Sequence, residues 1–257
     1  MRRDEIVLLQ ALRQRFTDQN SDQLTAKVVC RRVRVDGEVV SDPKQPIAKN
    51  ALIEISEEEP YVSRGGYKLE GALSAFALDV GGLTLLDAGS STGGFTDCLL
   101  RRGAALVHAV DVGYNQLDYR LRTDSRVIVR ERTNIMDVQG LEPRPDGAVC
   151  DLSFRSITGA ASHILSLCKE TAFLVALIKP QFETPKGMEG FDGVIRERDV
   201  LAQVVGDVLS SLIDEGVGIA GLVQSPITGA KGNIEFFALL QRAGGLDKES
   251  LLSSLTL

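Results

Sequence analysis

The chain has 257 residues, room for one large domain or two smaller ones, and its 44% of apolar residues is ordinary for a globular core. No apolar run is long enough to cross a bilayer, and the start Met1-Arg-Arg-Asp-Glu5 shows no leader-like apolar stretch, so a cytoplasmic protein is expected. Four scattered cysteines (Cys30, Cys98, Cys150, Cys168) and two histidines (His108, His163) suit neither a metal knuckle nor a redox pair, so no metal is expected, and a net charge of −6 gives no global signature of a nucleic-acid binder.

The charge is uneven along the chain. Between residues 2 and 34 stand eight basic residues (Arg2, Arg3, Arg13, Arg15, Lys27, Arg31, Arg32, Arg34) against four acids (Asp4, Glu5, Asp18, Asp22), a net +4. Such a head can meet phosphates, and it is equally an ordinary solvated surface.

Residues 4–16 carry apolar side chains at helical spacing (Ile6, Leu8, Leu9, Leu12, Phe16), and a second helix fits 22–30. Residues 31–40 read as two short strands about Asp36-Gly37, and 51–56 as a further alternating strand. The acidic Glu57-Glu-Glu-Pro60 reads as a linker. From Leu83 the pattern becomes strand, glycine-rich turn, helix. Strands are expected at 84–87, 105–111, 126–130, 147–151, 172–178, 217–223 and 234–240, with helices at 96–102 and 197–214. Continuous apolar strands alternating with helices predict an α/β, doubly wound, mostly parallel seven-stranded sheet, preceded by a small α+β module. The expected division is 1–58, 59–245 and a tail over 246–257.

The loop Asp87-Ala-Gly-Ser-Ser-Thr-Gly-Gly-Phe-Thr96 follows the first strand of this sheet, where ligands of such folds bind. Its glycines, at Gly89, Gly93 and Gly94, do not match the G-x-G-x-x-G spacing of a dinucleotide site. Asp87 heads the loop, and a carboxylate there suits a cationic amino group better than a pyrophosphate. Asp111 ends the second strand, about 20 residues further, where its oxygens can accept from a ribose diol. Together these favour an adenosyl amino-acid cofactor over a nicotinamide one; a tight turn with no ligand is the alternative.

Four polar residues stand where an apolar sheet has little use for them: Lys68, Asp151, Lys179 and Glu235. The last three fall at strand ends that share one edge of the predicted sheet, the edge that also holds the glycine loop. Methyl transfer to an alcohol needs the oxygen held in line with the methyl group and a group to take its proton. A lysine withdrawn from water beside a second cation gives up its own proton more readily and can serve as that group, while carboxylates orient the lysines. The plain alternative is paired surface charges at strand ends.

These residues carry a resemblance. Residues 60–73, 86–99, 109–114, 131–134, 151–154, 179–182, 225–229 and 232–236 resemble the TlyA family, haemolysin A-like proteins similar to FtsJ-like rRNA ribose methyltransferases. The resemblance implies S-adenosyl-L-methionine-dependent 2′-O-methylation of ribose, on cytidine, with ribosomal RNA or ribosomal subunits as partners. It places the family's Lys-Asp-Lys-Glu tetrad on Lys68, Asp151, Lys179 and Glu235, with Lys179 activating the hydroxyl. The cofactor contacts it implies are Asp87, Gly89, Ser90, Ser91, Thr92, Gly93, Gly94, Phe95, Asp111, Asn134 and Asp151. Its N-terminal module resembles the RNA-binding domain of small-subunit ribosomal protein S-four, matched best at residues 31–40, while the first helix lacks that domain's Arg-Leu-Asp start.

Other segments carry secondary expectations. Residues 187–193 read as a flexible loop beside the site or as a merely disordered connection, Arg64 as a contact to a substrate phosphate or a cap at the domain junction, Tyr114 as a ring that stacks on a base or adenine, and Phe154 as core packing ahead of such stacking. Two competing functions stay open on sequence: a membrane-active cytolysin, and a noncatalytic RNA-binding assembly factor.

Overall fold

The computed structural model describes residues 4–19, 21–29, 33–40, 42–56, 61–152, 156–184 and 192–253. Arg2, Arg3, Cys30, Arg31, Arg32, the linker 57–60, Phe154 and residues 187–191, all singled out above, lie outside them. The chain divides into two compact units, residues 1–60 and 61–257.

The first unit runs β1 (Glu5–Val7), α1 (Leu8–Arg15), α2 (Ser21–Val29), β2 (Val33–Val35), β3 (Glu38–Val40), β4 (Pro46–Ala48) and β5 (Ile53–Ile55). Leu8, Leu12, Leu24, Val28, Val33, Val40, Ile47 and Ile53 close its core. The hairpin of β2 and β3 turns at Asp36 and Gly37, whose φ angles of 50° and 84° are the left-handed pair that such two-residue turns require. The helix expected from residue 4 begins instead at Leu8. Ile6 lies in β1, which pairs antiparallel with β4, a strand not expected from the sequence. Three residues are too few to outweigh a helical pattern continuing beyond them; only a partner far along the chain makes them a strand. Among the described residues of the basic head, Arg13, Arg15 and Arg34 are engaged internally. Arg15 donates to the carbonyls of Ala51 and Lys49 at 2.6 and 2.7 Å, Arg34 donates to that of Gly37, and Arg13 donates to Ser21.

The second unit runs α3 (Arg64–Ala75), β6 (Thr84–Ala88), α4 (Gly94–Arg101), β7 (Leu106–Val110), α5 (Tyr119–Arg122), β8 (Val127–Arg130), β9 (Gly147–Cys150), α6 (Ala161–Leu167), β10 (Phe173–Ile178), α7 (Pro180–Glu183), α8 (Arg198–Asp214), β11 (Gly218–Gln224), β12 (Phe236–Gln241) and α9 (Lys248–Ser253). The seven strands order β11-β12-β10-β9-β6-β7-β8. The pairs β10·β9, β9·β6, β6·β7 and β7·β8 are parallel, and β12 runs antiparallel to both its neighbours. This is the α/β, mostly parallel sheet expected from the sequence.

Alternation along the strands sorts their side chains onto two faces. Leu86, Ala148, Leu174 and Phe236 join one core with residues of α6, α8 and α9, whereas Leu85, Val149, Val175 and Phe237 join another with residues of α3 and α4. Among the described residues of this unit, five helices escaped the sequence reading: α3, α5, α6, α7 and α9. In α3, Gly65, Gly66 and Gly71 depress helix propensity. Two of them are packing requirements: a Cβ on Gly66 would lie 2.2 Å from the Tyr61 ring, and one on Gly71 2.6 Å from Pro226. The segment read as a tail contains α9, whose Leu251 is buried in the first of the two cores. No helix among the described residues is long and apolar enough to cross a membrane.

Candidate functional site

Strand order reverses between β6 and β9, and the crevice beyond their C-terminal ends is the switch point at which doubly wound sheets bind ligands. The glycine loop leaves β6 there. Gly89 stands at φ 87°, and a Cβ on it would lie 2.4 Å from the Asp151 carbonyl oxygen at the end of β9. Only a glycine lets the two strand ends close on each other. The amides of Gly89 and Ser90 both donate to the Val110 carbonyl, so the loop is pinned across β7 as well. Gly93, at φ 95°, caps α4, which opens at Gly94, two residues earlier than expected.

Two cavities meet at Gly89, Ser91 and Asp151. One, of about 210 Å³, is lined by Arg64, Lys68, Ser90, Thr92, Gly94 and Phe95. The other, of about 480 Å³, is lined by Asp111, Val112, Gly113, Asn134, Ile135 and Leu152. The second falls within the size range of small-molecule sites and joins apolar walls to a few polar groups. Asp111 accepts from the Ser91 and Gly113 amides at 2.9 and 2.6 Å, which sets its carboxylate at the cavity wall and leaves lone pairs for a further donor. Asn134 is held by accepting from the Met136 amide.

Asp87 and Gly93 stand behind the loop. Gly93 faces Leu117 and Leu121. Asp87 is fully buried; its Oδ2 accepts from the Thr96 hydroxyl at 2.6 Å, while its Oδ1 has no donor among the described residues. Burial, reinforced by the nearby charges of Asp151 and Asp111, pushes its carboxyl up to about 7. The neutral acid is therefore the form the fold prefers. Its stabilising contribution is complete below about pH 4, the ordinary aspartate value, and drains away as pH rises through about 7. Urea unfolding of the ligand-free protein across this window should show a falling stability that Asp87→Asn flattens. A slope identical in both proteins would show that Asp87 titrates normally.

The four polar residues converge as two ion pairs. Lys68, on α3, meets Glu235 at 2.5 Å, with side-chain exposures of 11% and 2%. Lys179, which caps α7 after β10, pairs with Asp151, which follows β9. Lys68 and Asp151 line the smaller cavity; Glu235 and Lys179 line neither cavity and are joined to it through these partners. Glu235 does not open β12, as expected from the sequence, but directly precedes Phe236, where that strand starts. Because β12 is antiparallel to β10, its beginning shares an edge with the ends of β9 and β10.

Arg64 lines the same cavity and donates to the Thr228 carbonyl at 2.8 Å. Tyr114 is 63% exposed, with the Arg132 guanidinium 3.9 Å over its ring. The sequence reading missed Ser63, Gly65 and Gly229 in the smaller cavity and Val110, Val112, Gly113, Gln116, Thr133, Ile135 and Leu152 in the larger. Ser63 occupies the N-cap of α3, so a helix-start signal at Ser-Arg-Gly-Gly could have revealed it. Gln116 carries no comparable signal.

The profile of the FtsJ-like methyltransferase family matches residues 61–242. The 16S/23S rRNA (cytidine-2′-O)-methyltransferase TlyA of Mycobacterium tuberculosis is 42% identical over 217 residues, 82% of this chain and 80% of that protein. Hemolysin A of Brachyspira hyodysenteriae is 42% identical over 209 residues, 80% of this chain and 87% of that protein. The solved structure of a candidate hemolysin from Streptococcus thermophilus superposes with a TM-score of 0.73 at 33% identity, covering 97% of this chain and 95% of the other.

Proposed function

Because the chain belongs to the FtsJ-like methyltransferase family, we propose that it methylates the ribose 2′-hydroxyl of cytidine in ribosomal RNA, from S-adenosylmethionine. The observation that carries this reading is the pair of lysine–carboxylate bridges set about one cavity at the switch point of the sheet. The chain's likeness to the rRNA methyltransferase of M. tuberculosis supports the choice of substrate.

The residues fit the cofactor. Gly89 leaves space that any side chain would fill, and Asp87 Oδ1, buried behind the loop without a partner among the described residues, would be linked to the cofactor's amino group by a bridging water. Asp111 would take the ribose diol, and Val112, Ile135 and Leu152 would enclose the adenine. When bound, S-adenosylmethionine supplies an electrophilic methyl group on a sulfonium. Lys179, oriented by Asp151, would be the group that takes the proton of the 2′-hydroxyl. Lys68, held by Glu235, fixes the oxygen in line and offsets charge developing on it. Arg64, which lines the smaller cavity, would hold the RNA backbone.

The test is tritium transfer from labelled cofactor to ribosomal particles lacking the modification, followed by alkaline hydrolysis. Methylation of the 2′-oxygen removes the nucleophile that cleaves the neighbouring phosphodiester, so label is expected in alkali-resistant dinucleotides. Label released as mononucleotides would place the methyl group on a base. Cofactor binding without transfer to any ribosomal particle would favour a noncatalytic RNA-binding role.

A further inference from the structure

The Glu235 carboxylate is only 2% exposed. A carboxylate so buried needs donors on both oxygens, since a charge without partners has no water to fall back on. Lys68 serves Oε2. At Oε1 the donor is Gln181, whose Nε2 approaches to 3.5 Å. The Gly229 backbone also packs close to Oε1, where a Cβ would lie 2.0 Å away. The carboxylate is thus confined by a glycine backbone and one amide. Gln181 Oε1 is buried with no donor among the described residues, so no competing bond there turns the amide away from Glu235.

Gln181 also sits two residues past Lys179, in the same short turn, α7, whose start is stiffened by Pro180. The two ion pairs lie on four separate segments: α3, the turn into β12, the end of β9 and the end of β10. Gln181 is the side chain that joins one pair to the segment carrying the other.

We propose that Gln181 is a positioning residue for methyl transfer, acting through Glu235 to hold the Lys68 ammonium at a set distance from Lys179. The long contact matters because of what it prevents. Without the amide, the carboxylate rotates toward a second contact with Lys68 and draws that ammonium out of place.

The test is a double-mutant cycle of Gln181→Met, nearly equal in volume but without a donor, and Glu235→Gln. It rests on the methyltransferase reading for its kinetic half only. Gln181→Met should lower kcat about tenfold, the scale of a sub-ångström misplacement, with KM for RNA and cofactor Kd within about a factor of two. Adding it to Glu235→Gln should cost less than about a twofold further loss. In the ligand-free protein, the drop in Tm caused by Gln181→Met should shrink by about half or more in the Glu235→Gln background. Tm losses that simply add overturn the link between Gln181 and Glu235, whatever the enzyme acts on. Coupled Tm losses together with an unchanged kcat for Gln181→Met overturn the positioning role. Should wild type prove inert toward ribosomal particles, the thermal cycle still decides the link, and the fault lies with the substrate assignment.

Discussion

A Lys179→Ala enzyme should keep its fold and its cofactor and lose methyl transfer by about 10²- to 10⁴-fold, the usual worth of a positioned proton acceptor. Stability should change little, because the partner left behind is tolerant. Asp151 keeps 26% side-chain exposure, so water can enter the space the lysine leaves, and the loss should be smaller than that of stranding a fully buried charge. Single-turnover transfer from labelled cofactor, with cofactor affinity from titration calorimetry, separates the two effects. A single-turnover rate equal to wild type would remove Lys179 from the chemistry. A parallel collapse of cofactor affinity would move its role from proton transfer to binding.

The other pair behaves in the opposite way when broken. Glu235→Ala strands the Lys68 ammonium at 11% exposure with little water to receive it. Removing one partner of a buried pair costs about 3–5 kcal/mol, far more than the pair itself contributes. Urea unfolding of Glu235→Ala should show a loss of that size. The joint replacement Lys68→Met with Glu235→Met removes both charges and should recover most of the stability while leaving the enzyme inactive. A Glu235→Ala protein as stable as wild type would mean that Lys68 reaches solvent or another acid when released. The two lysines therefore differ in kind. Lys179 can be lost from the fold at small cost, whereas Lys68 is built into it.

Much of this arrangement can be read from the chain alone. A run such as Ala172 to Ile178 is apolar at every position, which only a strand covered on both faces requires, so each of the seven strands was located within a few residues. Gly89, Gly93 and Asp111 were legible because special backbone angles and strand-end carboxylates leave local signatures. Strand β1 was not legible, because its identity depends on β4, about 40 residues away, and α3 was not, because its glycines answer to Tyr61 and Pro226 rather than to helix propensity.

The four polar residues could be named from the sequence, since charge is conspicuous among apolar strands. Their environments belong to the tertiary structure. Asp87 becomes a carboxyl titrating near neutrality only because the folded loop seals it beneath Thr96, and Gln181 acquires a role only because β12 returns antiparallel beside β10 and delivers Glu235 to it. Local pattern determines which faces are buried, because burial is periodic along each element. Which charges meet, and how far from water, is set by strand order and packing between segments distant in the chain, and no local period encodes that.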